Sequence, residues 1–144
     1  MLKYSLGLRN ALMVTDPLRE LLSGCVIRIY SGSVPASPND SIGAATLLVE
    51  IDAGGVGGTW EAVASDGTLT KSTSETWFGV NVATGTASFF RLCMPSDTDE
   101  ADGAAYRVQG TVAVAGGDLN LTNTVLVDGA TQTLDYVYLA MPEQ

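Results

Sequence analysis

The sequence predicts an all-β protein, an antiparallel β-sandwich or barrel of about nine short strands that follows a short helical N-terminal segment. Apolar residues recur with helical spacing only before Gly24. Beyond that residue, short runs rich in Val, Thr and aromatic side chains alternate with clusters of Gly, Asp, Asn, Ser and Pro, a pattern typical of antiparallel sheets. We therefore expect a helical N-terminal arm at residues 1–24 and a β-sandwich domain at residues 25–144.

Two short helices are expected in the first 24 residues. Their apolar faces are formed by Tyr4, Leu8, Leu12, Leu18, Leu21 and Leu22. Asp16 followed by Pro17 is typical of an N-cap with proline at the first helical position, so the second helix is predicted to begin there. Gly24 would end this helix, because glycine readily adopts the left-handed backbone conformation.

The remaining chain contains about nine strand-like runs. They lie near Val26–Ser31, Ala45–Ile51, Thr59–Ala62, Thr68–Lys71, Thr76–Val82, Thr86–Cys93, Ala105–Val114, Thr124–Val127 and Gln132–Ala140. In the run Thr76–Val82, alternate side chains point to opposite faces, and we expect Phe78, Val80 and Val82 to face the core. In the run Thr86–Cys93, Phe89 and Phe90 place a bulky ring on each face of the strand. This arrangement indicates that a neighbouring subunit covers one of the two faces.

The composition argues against several classes of function. The 144 residues include no histidine, which removes the commonest general base and zinc ligand. Lys and Arg number 7 against 16 Asp and Glu, for a net charge of -9, so no attraction to the phosphates of nucleic acid is expected. A hydrophobic fraction of 46% with only 16% charged residues predicts that a partner covers some apolar surface. We therefore expect a protein that is not an enzyme.

The charge is unevenly distributed along the chain. Residues 1–28 carry four basic and two acidic side chains, whereas the remaining residues carry three basic and 14 acidic ones. This asymmetry indicates that the N-terminal segment and the body face different surroundings. The opening residues do not resemble a signal peptide, and no run approaches the ~20 apolar residues of a membrane span. We expect a protein made in the cytoplasm, with no membrane partner.

Three motifs are candidate sites of chemistry. The acidic run Asp97–Gly103 invites a calcium interpretation, but its spacing departs from that of an EF-hand, and a solvated hairpin tip is favoured. The run Gly54–Gly58 lacks the following helix of a phosphate loop and is interpreted as a flexible inter-strand loop. Cys25 and Cys93 lie in apolar or aromatic stretches and are expected to be buried free thiols. No metal or cofactor is expected.

Aromatic side chains support one alternative of a different class. Because Trp and Tyr faces stack on sugar rings, they offer a carbohydrate-binding platform. The candidates are Tyr30, Trp60, Trp77, Tyr106, Tyr136 and Tyr138. The same residue types are enriched in cores and subunit interfaces, and we favour those positions for them.

Several short motifs along the chain carry a resemblance. They are Leu8–Ala11, Ile27–Gly32, Pro35–Ala36, Ala44–Leu48, Glu75–Trp77, Ala83–Arg91 and Asp118–Leu121. In their order these motifs resemble a group of small structural proteins encoded in the genomes of tailed bacteriophages and prophages. The resemblance implies a virion or virion-assembly protein, located in the virion, and it transfers no catalytic residue.

Within that group, we expect a capsid decoration (cement) protein that binds the major capsid protein of the assembled head and forms homo-oligomers. A tail, collar or fibre-base component is an open alternative, and a carbohydrate-binding module is another. The N-terminal arm is expected to contact the partner through Leu8, Arg9, Leu12, Leu18, Arg19, Leu21 and Leu22. The alternative for the leucines is that they cap the protein's own sandwich.

Overall fold

The computed structural model describes residues 1–63 and 67–140, and within them it contains two helices and thirteen strands. The helices are α1 (Leu6–Val14) and α2 (Leu18–Leu21). The strands are β1 (Lys3–Tyr4), β2 (Val26–Ser31), β3 (Thr46–Ile51), β4 (Trp60–Val63), β5 (Thr68–Lys71), β6 (Trp77–Val80), β7 (Gly85–Thr86), β8 (Phe89–Cys93), β9 (Val108–Ala113), β10 (Leu119–Asn120), β11 (Val125–Leu126), β12 (Thr131–Leu134) and β13 (Tyr138–Ala140). The prediction of an all-β fold with a short helical N-terminal segment is confirmed.

The largest sheet has the strand order β1-β9-β8-β2-β3, and β10 pairs in parallel with β9. Two hydrogen bonds exchanged between the backbones of Asp52 and Phe78, of 3.2 and 3.0 Å, place β6 beside the end of β3. β12 then pairs with β6, while β4-β5-β13 and β7-β11 form smaller sheets. Apart from β9 with β10, the pairings among the described strands are antiparallel.

The two faces of the largest sheet differ, because successive side chains of a strand point to opposite sides. One face joins the main apolar core through Ile27, Ile29, Phe90, Leu92, Val108 and Val112. The opposite face carries Arg28, Tyr30, Phe89, Arg91 and Gln109. This second set is also buried, and it lies beneath loops.

The N-terminal segment belongs to the same core, which corrects the expected division into an arm at residues 1–24 and a domain at residues 25–144. The core cluster includes Leu8, Leu18, Leu21 and Leu22. β1 pairs with β9, and the indole N–H of Trp60 donates to the Leu22 carbonyl at 3.1 Å. Burying each leucine is worth roughly 1.5–3 kcal/mol, so the strands and this segment stabilise each other. The leucines cap the protein's own sheets, as the alternative interpretation predicts.

The helix boundaries differ slightly from the prediction. Tyr4 lies in β1 and not in a helix, and Ser5 is the N-cap of α1, its hydroxyl accepting a 3.3 Å hydrogen bond from a backbone N–H in the first turn. Pro17, and not Asp16, is the N-cap of α2, which has no side-chain capping bond. Gly24 has a φ of 85°, so the predicted left-handed residue after α2 is confirmed.

The glycines at the end of the run Gly54–Gly58 let the chain pass close to the backbone of Gly24 and to the Trp77 ring. Gly24 donates a 3.0 Å hydrogen bond to the Gly58 carbonyl. A Cβ at Gly57 would lie 1.9 Å from the Gly24 carbonyl oxygen, and a Cβ at Gly58 would lie 2.2 Å from the Trp77 ring. A side chain at Gly57 would therefore displace the backbone that follows α2, and a side chain at Gly58 would displace the Trp77 ring.

Two predicted strands are each divided in the structure. The run 86–93 separates into β7 and β8, because the Ala87 N–H donates to Thr124 at 2.8 Å whereas the Ser88 N–H donates to Tyr30 at 2.9 Å. The run 132–140 separates into β12 and β13, which pair with β6 and β5 respectively. The chain changes its partner strand within each run. The short strands β1 and β10 have no counterpart in the sequence prediction.

Candidate functional site

An exposed apolar row extends along β6, and we call it the β6 face. It consists of Phe78, Val80 and Val82, which are 39%, 52% and 61% exposed. The prediction that these three residues face the core is wrong, because Trp77 and Asn81 are buried in their place. The alternation along the strand is present, but its inward and outward sides are the reverse of those predicted.

The inward side of β6 is filled by the backbone of β3 and by a large ring. A Cβ at Gly79 would lie 2.1 Å from the Glu50 carbonyl oxygen, so no side chain fits there. The Trp77 ring packs edge-on against Trp60 with centroids 5.1 Å apart, and its N–H donates to Glu75 at 2.8 Å. These contacts fix Trp77 inside, and the alternate apolar residues therefore point outward.

The β6 face is not on a free strand, because β6 pairs with β12 and an isolated bridge between Asp52 and Phe78 ties it to the end of β3. The outward residues of β12 beside it are Thr131 and Thr133. Val127 is exposed near the end of the row, where its carbonyl accepts a 3.0 Å hydrogen bond from Asn81. At about 3.3 Å per residue, the row spans about 13 Å. Its chemistry suits an apolar contact with another protein.

The seven residues predicted to bind a partner do not form one surface. Four of them are buried in the protein's own core, namely Leu8, Leu18, Leu21 and Leu22. Their predicted docking role is therefore corrected, since a partner cannot reach them. Leu12 is half-buried, while Arg9 and Arg19 are exposed. The end of α1 also exposes Met13 and Val14, which the helical periodicity did not single out.

A row of polar side chains crosses the largest sheet on the face opposite the core. In the order of β3, β2, β8 and β9, it consists of Glu50, Arg28, Arg91 and Gln109, which lie opposite one another in the strand registers. Arg28 donates to Glu50 at 2.7 Å, and Arg91 donates to Gln109 at 3.0 Å. The sequence analysis did not single out this row. The available signal was that Arg28 and Arg91 each interrupt an apolar strand.

This row, together with Arg107, holds two loops against the sheet through their backbone carbonyls. The donors are Arg28, Arg91, Arg107 and Gln109. The acceptors are the carbonyls of Pro35, Pro38 and Asp40 in the loop 32–45 and of Pro95, Asp97 and Glu100 in the loop 94–107, at 2.7–3.0 Å. Three of the acceptors are prolines, which bring no N–H that would need a partner under the loop.

Two aspartates of the acidic run, Asp97 and Asp99, belong to this network, which corrects the interpretation as a solvated hairpin tip at these two positions; the other residues of the run are exposed, as that interpretation predicts. Asp97 accepts hydrogen bonds of 2.7 and 2.8 Å from Arg107, and the two side chains are 4% and 1% exposed. Asp99 accepts bonds of 3.2 Å from Arg28 and 2.8 Å from the Tyr30 hydroxyl. Burial by itself would raise the pKa of Asp97, but hydrogen bonds from Arg107 and the Asp99 N–H, with the nearby positive charges, hold that pKa below its ordinary value.

The two cysteines are free and buried, as predicted. Burial raises the pKa of the Cys25 thiol and of the Cys93 thiol to about 12. Both are therefore protonated at neutral pH, and the reactive thiolate form is scarce.

Within residues 1–63 and 67–140, no group of three or more His, Cys, Asp or Glu side chains is placed to hold a metal ion. Among the same residues, no helix combines the length and the apolar character needed to cross a membrane.

The six aromatic residues considered for carbohydrate binding fall into two groups. The first group is buried or half-buried and comprises Tyr30, Trp60, Trp77 and Tyr106. The second group is Tyr136 and Tyr138, which are 77% and 60% exposed. Their rings are parallel to within 4°, with centroids 6.4 Å apart. Only this second group can offer ring faces to a ligand.

Comparisons with known proteins add no residue to these candidates. Neither the protein-family models nor the curated proteins nor the solved structures gave a match to this chain. Its function is therefore argued from its own residues and contacts.

Proposed function

We propose that this protein is a non-catalytic structural subunit of a tailed-bacteriophage particle, and specifically a decoration protein that binds the assembled capsid. The observation that carries the proposal is the β6 face, where three alternate residues on β6 and just beyond it are apolar and exposed, while hydrogen bonds to β12 and to the end of β3 hold the strand. Contiguous exposed apolar surface is typical of protein–protein contacts. The motif resemblance to phage structural proteins supplies the kind of particle.

The buried polar network supports a rigid scaffold. Asp97 and Asp99, the acidic residues that invited a metal interpretation, are bound by Arg107 and Arg28. Side chains of the sheet bind two carbonyls in each loop, and Arg107, the last residue of the loop 94–107, binds one more carbonyl in each. A subunit that presents its contact surface in a fixed geometry loses less entropy when it binds, which favours assembly.

The β6 face would contribute affinity by removing apolar area from water. At about 25 cal/mol per Å² of buried apolar surface, each of its partly exposed side chains contributes on the order of 1 kcal/mol. Such a contact is weak for one subunit, but oligomeric subunits bind a shell at several points and gain avidity. The proposed partner is the major capsid protein, and the subunit is proposed to form homo-oligomers in the virion.

Mass spectrometry of purified particles tests the location. The particles come from the phage or induced prophage that encodes this chain. A copy number comparable to that of the major capsid protein supports decoration of the head. A few copies per particle would replace this proposal with the tail, collar or fibre-base alternative, and absence from the particles would overturn both.

A sedimentation assay tests the β6 face itself. Particles that lack the protein are mixed with purified protein and pelleted. Replacing Phe78 and Val80 by Thr, the residue on the same face of β12, is expected to weaken association about tenfold or more. Val56→Thr is the control, because Val56 is an exposed valine outside the β6 face, in the Gly54–Gly58 run. If the double variant pellets like the unaltered protein, the β6 face is not the contact.

The fold of these variants is checked by thermal unfolding. Substitutions of exposed residues usually change stability by no more than about 0.5 kcal/mol, so the melting temperature should stay nearly constant. A large drop for the double variant would require single substitutions at Val80 and Val82 in its place.

A further inference from the structure

Tyr136 and Tyr138 form an exposed pair of parallel rings at the start of β13, which we call the tyrosine platform. Val137 between them and Leu139 after them are buried, so both tyrosines are directed outward. Tyr138 lies opposite Thr70 in the pairing of β13 with β5. The ring spacing of 6.4 Å is close to the two-residue repeat of a strand, about 6.6 Å. The backbone therefore sets the spacing of the two rings.

Cavities adjoin the tyrosine platform. One of about 510 Å³ is lined by both tyrosines together with Thr70, Thr73 and Asp135. Another, of about 250 Å³, is lined by Tyr136 with Asn120, Thr122 and Gln132. The larger volume falls within the range of about 300–1,000 Å³ that is usual for small-molecule sites. Hydroxyl, amide and carboxylate groups thus surround two exposed aromatic rings.

We infer that the tyrosine platform binds a neutral carbohydrate chain. The C–H face of a sugar ring stacks on an aromatic ring, while its hydroxyls exchange hydrogen bonds with polar side chains at the edge. The threonines, Asn120 and Asp135 supply such donors and acceptors. This inference concerns a different surface from the β6 face and does not depend on the proposed capsid contact.

A single-stranded nucleic acid could also stack its bases on the two tyrosine rings. The charges near the platform disfavour such a phosphate-bearing ligand. Asp135 contributes a negative charge to the larger cavity. Lys71 lines the same cavity, but its ammonium group donates to the carbonyls of Ser72 and Glu75 and lies 5.9 Å from the centroid of the Trp77 ring. The net charge of -9 adds a general repulsion of polyanions.

Saturation-transfer NMR on the full chain tests the inference. The probes are four neutral oligosaccharides, namely cellohexaose, maltohexaose, mannohexaose and N-acetylchitohexaose, and heparin is the polyanion. We expect at least one neutral probe to receive saturation, strongest at its ring C–H protons, and heparin to receive none. If none of the four binds at millimolar concentration, the inference is overturned.

Variants of the platform give the second readout. Tyr136→Ala combined with Tyr138→Ala is expected to raise the dissociation constant of the bound probe about tenfold or more, whereas Phe at both positions keeps the rings and retains most of the affinity. Phe78→Ala, which removes an exposed ring from the β6 face, is the control and should leave the affinity unchanged. Unaltered binding by the double alanine variant, or an equal loss with Phe78→Ala, would also overturn the inference. The same variants separate the two proposals, because particle binding depends on Phe78 and glycan binding on the tyrosines.

Discussion

Replacing Asp97 by Asn tests how strongly the buried ion pair with Arg107 stabilises the fold. In the native protein, Oδ2 of Asp97 accepts from Nε of Arg107 and Oδ1 accepts from Nη2. The amide that replaces the Asp97 carboxylate keeps only one acceptor oxygen. Its NH₂ group would therefore face one N–H of the Arg107 guanidinium, and that N–H would lose its acceptor. The Arg107 charge stays buried, with the carbonyls of Pro38 and Glu100 as its remaining acceptors.

The expected loss of stability can be worked from these contacts. Removing one partner of a buried ion pair costs about 3–5 kcal/mol, and the two remaining carbonyls place this case at the lower end, about 3 kcal/mol. For a domain of this size that loss corresponds to roughly 10 °C in Tm. Glu20→Gln is the matched control, because it removes the acid of the Arg19–Glu20 pair, whose side chains are 52% and 53% exposed. It should cost less than about 1 kcal/mol.

Urea unfolding followed by tryptophan fluorescence measures both variants, since Trp60 and Trp77 are buried and report on the core. The midpoint and the slope together give the free energy of unfolding. A loss below about 1 kcal/mol for Asp97→Asn, or an equal loss for Glu20→Gln, would refute the reasoning that burial gives this ion pair its strength.

Acid is expected to destabilise the protein through the same aspartate. The pKa of Asp97 is held below the unfolded value of about 3.9, so its contribution is complete above that pH and is lost as the pH falls through the folded pKa. Urea midpoints measured between neutral and strongly acidic pH should fall, and less steeply for Asp97→Asn; midpoints that rise in acid would contradict this. In the N-terminal segment, Leu22→Ala should cost about 2–5 kcal/mol, whereas the exposed Met13→Ala should stay within about 0.5 kcal/mol. Deletion of residues 1–23 should leave an unfolded chain by circular dichroism, and a folded β domain would show that the segment is dispensable for the core.

The features that follow from local chemistry were predictable from the sequence. The all-β class rests on short β-rich runs between turn residues, and the left-handed conformation of Gly24 rests on its lack of a side chain. The orientation of β6 was not predictable in the same way. Alternation shows that two faces of a strand differ, but the contact of Gly79 with the Glu50 backbone decides which face lies inside. That contact joins strands that are distant in sequence.

The candidate site shows the same limit. Tyr136 and Tyr138 were among the aromatic candidates, but only their burial in the fold distinguishes them from Trp60 and Trp77. The periodicity of the N-terminal leucines correctly identified an apolar stripe, but not that the protein's own strands cover it. The pairing of Arg28 with Arg91 across two strands depends on register, which a single strand does not encode.

The attachment of the two loops through carbonyls has a consequence for how the protein can change over evolutionary time. Every amino acid has a backbone carbonyl, so the loops 32–45 and 94–107 can exchange most side chains and keep the six bonds that fasten them. The donors on the sheet and Arg107 have no such freedom, because only long polar side chains reach these carbonyls. Apart from Arg107 and the acidic partners Asp97 and Asp99, sequence drift should therefore concentrate in the loops, and this side of the molecule can acquire new surface chemistry while the sheet beneath it is preserved.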